Sequence, residues 1–323
     1  MEERFADMGK VEAIEALYAV SRYHRKEHLD FGESGGNVCT ASGLFLEGTD
    51  FNLVYFPLKH LGYKCVTSVT GGLYASLAKP RTLAVRLGVS SKLDFSHVRD
   101  LWTGIVTAAA EHGYADVGLD IGPSLNGLAI SLTATGETAK LTAVRRPAPK
   151  SKDLVCLSGC VGAAYLGMQA LEREFKDLEK YRMIIGDYLK PELPAGIVDR
   201  FEKEEIYPSA GYAVTKGLAD TARRIARDTG LGIKLYAEKI PFEGNSFELG
   251  KRLDIDPVSA AMNGGEDCRL LFTIPILSLE KFRREFQTFD IIGHLALPEA
   301  GAVLVTPEGV ELPVRAQGWK DED

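Results

Sequence analysis

The chain has 323 residues, 45% of them hydrophobic and 26% charged, the profile of a globular protein rather than a disordered or fibrous one. At roughly 150 residues per domain, this length suits two domains. Its 45 acidic and 38 basic residues leave a net charge of −7, which argues against nucleic acid as a partner because a phosphate-backbone binder carries a basic surplus. The acidic start Met1-Glu2-Glu3-Arg4 and the lack of an 18-residue apolar run argue against a signal peptide and a membrane span, so the expected location is the cytoplasm.

Along the chain, Val11, Ile14, Leu17, Tyr18 and Val20 fall at near-helical spacing and predict an amphipathic helix over 9–23. Short apolar runs at 43–46, 64–66 and 83–89, bounded by Gly, Asn or Pro, predict strands. Val98, Leu101, Trp102, Ile105, Val106 and Ala109 predict a helix that stops near Gly113. Runs at 115–119 and 128–132 predict two more strands. The basic, proline-bearing stretch 145–152 reads as an extended linker between two α/β domains, 1–148 and 149–323. Beyond it, 154–157 and 270–274 predict strands, and 162–175 and 216–229 predict helices, the latter with Thr215 as N-cap and Gly230 just past its end. Strands and helices mix without the strict alternation of a doubly wound sheet.

General catalytic motifs are missing: no phosphate-binding P-loop, no dinucleotide fingerprint after a strand, no H-E-x-x-H and no G-x-S-x-G. His24 and His28 have metal-compatible i, i+4 spacing, but no third ligand is placed to complete a site, and they read as a solvated helix face. The pairs Gly71-Gly72 and Gly264-Gly265 read as turns. Cys39, Cys65, Cys156, Cys160 and Cys268 are scattered without a C-x-x-C pair and read as buried, reduced thiols.

Longer segments carry more. Leu46-Glu47-Gly48-Thr49-Asp50-Phe51-Asn52-Leu53 and Pro57-Leu58-Lys59-His60-Leu61-Gly62-Tyr63-Lys64 resemble the L-E-G-x-H-F-D-L and P-x-x-L-G-x-K segments of the thiamine-monophosphate kinases. Ser158-Gly159-Cys160-Val161-Gly162-Ala163-Ala164-Tyr165-Leu166-Gly167 resembles their T/S-G-x-L-G-A-A-x-x-G, and Gly264-Gly265-Glu266-Asp267-Cys268-Arg269-Leu270-Leu271-Phe272-Thr273 their G-G-E-D-Y-E-L-L-F-T. Ile292-Gly293-His294 and Ala316-Gln317-Gly318-Trp319 match the closing segments, all in the family's order and spacing.

The resemblance implies an α/β (α+β) two-domain aminoimidazole ribonucleotide synthetase-like fold. Its N-terminal sheet forms a barrel across a homodimer, its C-terminal domain is α/β, and ATP binds near the junction. The implied reaction moves the γ-phosphate of ATP onto thiamine monophosphate with magnesium, and such chemistry depends on carboxylates that hold the metal. The matching positions here are mostly not acidic. The family's G-D-D-A-A-V falls near Gly32-Glu33-Ser34-Gly35-Gly36-Asn37-Val38, its T-T-D becomes Ala41-Ser42-Gly43, and its N-x-S-D becomes Val69-Thr70-Gly71-Gly72. Its G-G-D-T-T becomes Gly118-Leu119-Asp120-Ile121-Gly122, and its D-I-S-D-G becomes Ala213-Val214-Thr215-Lys216-Gly217.

Carried over residue by residue, the resemblance leaves Asp120 and Lys216 at the catalytic position and Glu33 and Asp120 as metal ligands. Arg145, Asp120 and Thr215 fall on the nucleotide side, and Asp50, Glu266 and Trp319 on the substrate side. Three functional expectations stay open: an impaired or inactive kinase-like protein to which magnesium and ATP bind weakly or not at all, an active ATP-dependent phosphotransferase with an altered substrate or a single metal, and a purely structural dimeric module. The partners expected are a second copy of the chain and thiamine monophosphate or a related small phosphate. Lys216 is further expected to pair with Asp120 in the space of the missing metals.

Overall fold

The computed structural model describes residues 37–319, with Ala19 and the strand Leu29–Asp30 before them. The helix expected over 9–23 (apart from Ala19), His24, His28 and Glu33 lie outside the described residues.

The first half builds a five-stranded sheet from β1 (Leu29–Asp30), β2 (Val38–Leu46), β3 (Lys79–Ser90), β4 (Asp116–Ser124) and β5 (Ala129–Glu137), in the order β1-β2-β5-β3-β4. Helices α1 (Leu58–Ala75) and α2 (Phe95–Glu111) lie on one face, where Ala41, Leu83, Val85, Leu87, Ile130, Leu132 and Ala134 point inward. The other face carries Ser42, Leu44, Ala84, Arg86, Gly118, Asp120, Ser131 and Thr133, brought side by side by the strand register. Among the described residues no helix covers it, and Leu44 is 61% exposed. β4 is an edge strand, which is why Pro123 is tolerated in it.

Helix α3 (Lys140–Arg145) and an extended segment lead to the second half. There β6 (Leu154–Ser158), β7 (Ala210–Val214), β8 (Gly232–Tyr236), β9 (Arg269–Ile274), β10 (Phe289–Ala296), β11 (Ala302–Val305) and β12 (Glu311–Pro313) form a seven-stranded sheet in the order β12-β11-β8-β10-β6-β9-β7. Its helices are α4 (Ala163–Glu172), α5 (Arg182–Leu189), α6 (Ile197–Lys203), α7 (Gly217–Thr229), α8 (Ser246–Leu253), α9 (Pro257–Asn263) and α10 (Leu279–Glu285). One face packs on α7 through Leu218, Ala222 and Ile225, and the other on α6 and α10 through Phe201 and Phe282.

Three expectations change. Residues 64–66 are not a strand but the middle of α1, which is buried from Leu61 through Ala75 except at Ser68. A helix enclosed all round shows a continuous apolar run, which looks like a buried strand when read by periodicity alone. Gly71 is not in a turn: it lies in α1, where a Cβ would come 3.3 Å from the Ala213 Cβ of β7, so its smallness lets helix and sheet approach. The N-cap of α7 is Lys216 rather than Thr215, with Gly230 left-handed past the other end as expected. The five cysteines are all free thiols, four of them buried. No helix among the described residues is long and apolar enough to cross a membrane.

Helices α1 and α2 cross at glycines. A Cβ on Gly104 would lie 1.9 Å from the Lys59 carbonyl oxygen, and one on Gly62 2.2 Å from that of Leu101. Gly104→Ala is therefore expected to destabilise the fold by about 1–3 kcal/mol or more, the usual cost of overpacking. Urea unfolding midpoints compared at unchanged m-value measure this.

Candidate functional site

The two halves meet at the segment between α9 and β9, Gly264-Gly265-Glu266-Asp267-Cys268. Its backbone is unusual: Gly265, Glu266 and Cys268 have φ of 76°, 70° and 49°. Left-handed conformations at non-glycine residues cost about 1–3 kcal/mol each and persist only where the surroundings over-determine them. Here the pins are visible. The buried Asp267 carboxylate accepts the Gly162 N–H at 2.9 Å and the Ala164 N–H at 3.1 Å, which ties the loop to the start of α4. The Glu266 N–H donates to the Thr215 carbonyl at 2.9 Å. Next to the loop, Arg269 donates to the Cys160 carbonyl at 2.9 Å and pairs with Asp187 at 2.7 Å.

This geometry turns the Glu266 side chain toward α1. Its Oε2 lies 2.6 Å from the Nζ of Lys64, whose side chain is 8% exposed against 35% for Glu266. The ammonium sits 3.8 Å from the ring centre of Tyr188 on α5 and 5.5 Å from that of Phe56. Beside it, burial pushes the Cys65 thiol well up, and the charges of Lys64, Glu266 and Asp50 all act on it. Burial likewise pushes the Cys268 thiol up to about 12. Tyr55 donates to Glu172 at 3.1 Å at the rim. A carboxylate, an enclosed ammonium and aromatic faces thus converge where the halves join.

The expected site residues divide. Asp50 and Glu266 share this neighbourhood, although the Asp50 Oδ2 is folded back onto the Leu46 N–H at 2.7 Å. Thr215 and Lys216 adjoin it through the Thr215–Glu266 hydrogen bond, with Lys216 exposed at the head of α7. Trp319 is held on the same helix: its Nε1 donates to Asp220 at 2.9 Å, and the guanidinium groups of Arg223 and Arg227 lie 5.0 and 5.2 Å from its ring centre. Asp120 lies elsewhere, on the uncovered face of the first sheet, 3.5 Å from Arg86. The parallel register sets these two directly opposite one another, so Arg86 takes the place expected of Lys216 and the Lys216–Asp120 pair does not form. Arg145 is also outside the junction, exposed on α3 and paired with Glu205 at 2.7 Å. Lys64 escaped notice as a site residue. Two signals marked it: it falls on the closing K of the P-x-x-L-G-x-K segment, and it is a lone lysine in an otherwise uncharged run from Leu61 to Leu77.

No family model matches the sequence. The thiamine-monophosphate kinase of Aquifex aeolicus is 27% identical over 275 residues, covering 85% of this chain and 84% of that enzyme. The chain is a relative of the thiamine-monophosphate kinase family. A crystal structure of the Aquifex aeolicus enzyme superposes with a TM-score of 0.82 at 22% identity, over 96% of this chain and all of that one. The structure of AaThiL complexed with AMPPCP and TMP gives 0.80 at 21%, over 97% of both. The fold is the two-sheet α/β, aminoimidazole ribonucleotide synthetase-like arrangement of these kinases.

Asp267 makes the junction sensitive to pH. Burial pushes its carboxyl up to about 7 despite its two N–H donors. The folded value lies above the unfolded one, so the folded form holds the proton more tightly, and stability falls as pH rises from about 4 to about 7. Relative to Asp267→Asn, which has no such proton, the native chain should lose unfolding free energy across that window. Urea titrations at a series of pH values check the sign.

Proposed function

We propose that this chain is a thiamine-monophosphate kinase-like protein that keeps a site for thiamine monophosphate or a related small phosphate but is impaired in, or has lost, metal-dependent phosphoryl transfer. The reading is carried by the surroundings of Asp120, the one described position where the resemblance retains a metal-ligating aspartate. Its carboxylate is exposed on the open face of the first sheet and neutralised by Arg86, while β2, α1 and β7 bring Ala41-Ser42-Gly43, Gly71-Gly72 and Ala213-Val214-Thr215-Lys216 to the other matching places. Among the described residues no three of His, Cys, Asp and Glu are grouped as metal ligands. Magnesium needs hard oxygen donors in near-octahedral array, and these residues do not fit it. Lys216, exposed at the head of α7, puts a cation where the resemblance expects a ligand.

Transfer from ATP is mostly positioning and charge neutralisation, so it has little to work with here. A coupled assay for ADP release with thiamine monophosphate and magnesium tests the reading: turnover far below 1 per second is expected, and turnover on the order of 1 per second, ordinary for kinases, would overturn it. Millimolar Mg-ATP should leave the melting temperature unchanged, whereas a ligand at 100 times its dissociation constant would stabilise the fold by about 2.7 kcal/mol.

We further propose that the chain, divided at 148/149 into two domains, forms a homodimer through its first sheet. The uncovered face of small and polar side chains and the edge strand β4, with Leu119 and Ile121 42% and 51% exposed, support this. Sedimentation at micromolar concentration should give twice the chain mass of 35.2 kDa.

A further inference from the structure

Burying a lysine is costly, and exchanging a buried ion pair for well-packed apolar side chains is often neutral or stabilising. Stability alone therefore does not account for Lys64. The residue is 6% exposed within α1, among Leu61, Tyr63, Cys65 and Val66, all buried. Apart from the 2.6 Å approach to Glu266, its Nζ makes no hydrogen bond. The aromatic faces of Tyr188 and Phe56 hold the ammonium on its other sides. A desolvated ammonium against aromatic faces is well held and leaves its partner few alternative positions. Its partner is the more exposed group of the pair and stands on a strained, left-handed residue in the segment that joins the halves.

We infer that Lys64 is a positioning residue: from the first half of the chain it fixes the Glu266 carboxylate of the second half in the orientation a ligand meets. Lys64 occupies Oε2, and Oε1 makes no polar contact among the described residues, so one carboxylate oxygen is left to accept from a ligand. The Glu266 backbone is held separately, through its N–H to the Thr215 carbonyl. Lys64 thus sets the side chain and the loop pins set the main chain. The inference rests on the reading that Glu266 faces thiamine monophosphate, and its test separates the two.

Calorimetric titration of thiamine monophosphate into the full chain, Lys64→Met, Glu266→Gln and the double variant reads the ligand side. Each single change should weaken binding about tenfold or more, the worth of a hydrogen bond to a charged group. The double variant should bind no more weakly than the weaker single one, because both act through one carboxylate. Lys64→Met binding like the native chain, or the two losses multiplying, would overturn the inference. Native chain that fails to bind thiamine monophosphate at all would sink the proposed function. The inference is then decided without ligand, by carbon-13 NMR of the side-chain carboxyls. Lys64→Met should move the Glu266 Cδ resonance, which Glu266→Gln identifies by removing it, and leave amide exchange over 264–268 as it is; an unmoved resonance would refute the inference. Should Lys64→Met not fold, Lys64→Gln is read in the same way.

Discussion

From Leu61 to Ala75, all but Ser68 of helix α1 is buried, and most of the architecture follows from that. Its N-terminal half packs on α2 through a glycine crossing close enough to exclude a methyl group, its flank lies under the first sheet, and Tyr74 and Leu77 at its end enter the core beneath the second sheet. In return Ala164 and Tyr188 from the second half join the core of the first. A helix shared in this way cannot shift without opening both cores, because close-packed interiors transmit strain rather than absorb it. From Leu61 onward it leaves almost no solvent-facing side for a charge. Lys59 reaches solvent from the first turn, but Lys64, inside the enclosed stretch, must find a partner in the interior, and that partner is Glu266.

The left-handed segment from Gly265 to Cys268 answers this demand from the other half. Two of its residues, Glu266 and Cys268, hold backbone conformations that are unfavourable in isolation, kept in place by Asp267 on the N–H groups of α4, by Thr215 and by the Arg269–Asp187 pair beside them. The strain is localised where the halves meet, as expected where side chains must be aimed rather than merely packed. Through Thr215 the same segment reaches the head of α7, and α7 carries Trp319 by way of Asp220. Glu266, Lys216 and Trp319 therefore belong to one connected piece of structure, whereas Asp120 and Arg145 do not.

Framework and chemistry separate cleanly in this chain. The segments that resemble the kinases are those that build the junction: the glycine-rich crossing of α1, the start of α4 and the loop before β9. Where the resemblance leads one to expect carboxylates, the side chains other than Asp120 and Glu33 are small, hydroxylic or, at Lys216, cationic. The fold is carried by the packed framework rather than by these side chains, so it can persist while the chemistry alters.

The sequence by itself determined the framework. The short apolar runs at 83–89 and 128–132, the helical spacing of Val98 to Ala109 and the ordered motifs from Leu46 to Trp319 were enough for the α/β class, half of the described strands, the helix from Phe95 to Glu111 and the kinase resemblance. Each of these rests on local periodicity or on short-range order, which a linear chain displays directly. The resemblance also singled out Glu266. Tertiary structure alone decided the rest. A helix buried all round loses the polar stripe that betrays it, so 64–66 looked like a strand. The partner of Asp120 depended on a parallel strand register that puts Arg86 opposite it, a relation no spacing along the chain encodes. The role of Lys64 emerged only when two segments some 200 positions apart closed on each other, because an ion pair is a fact about distance in space.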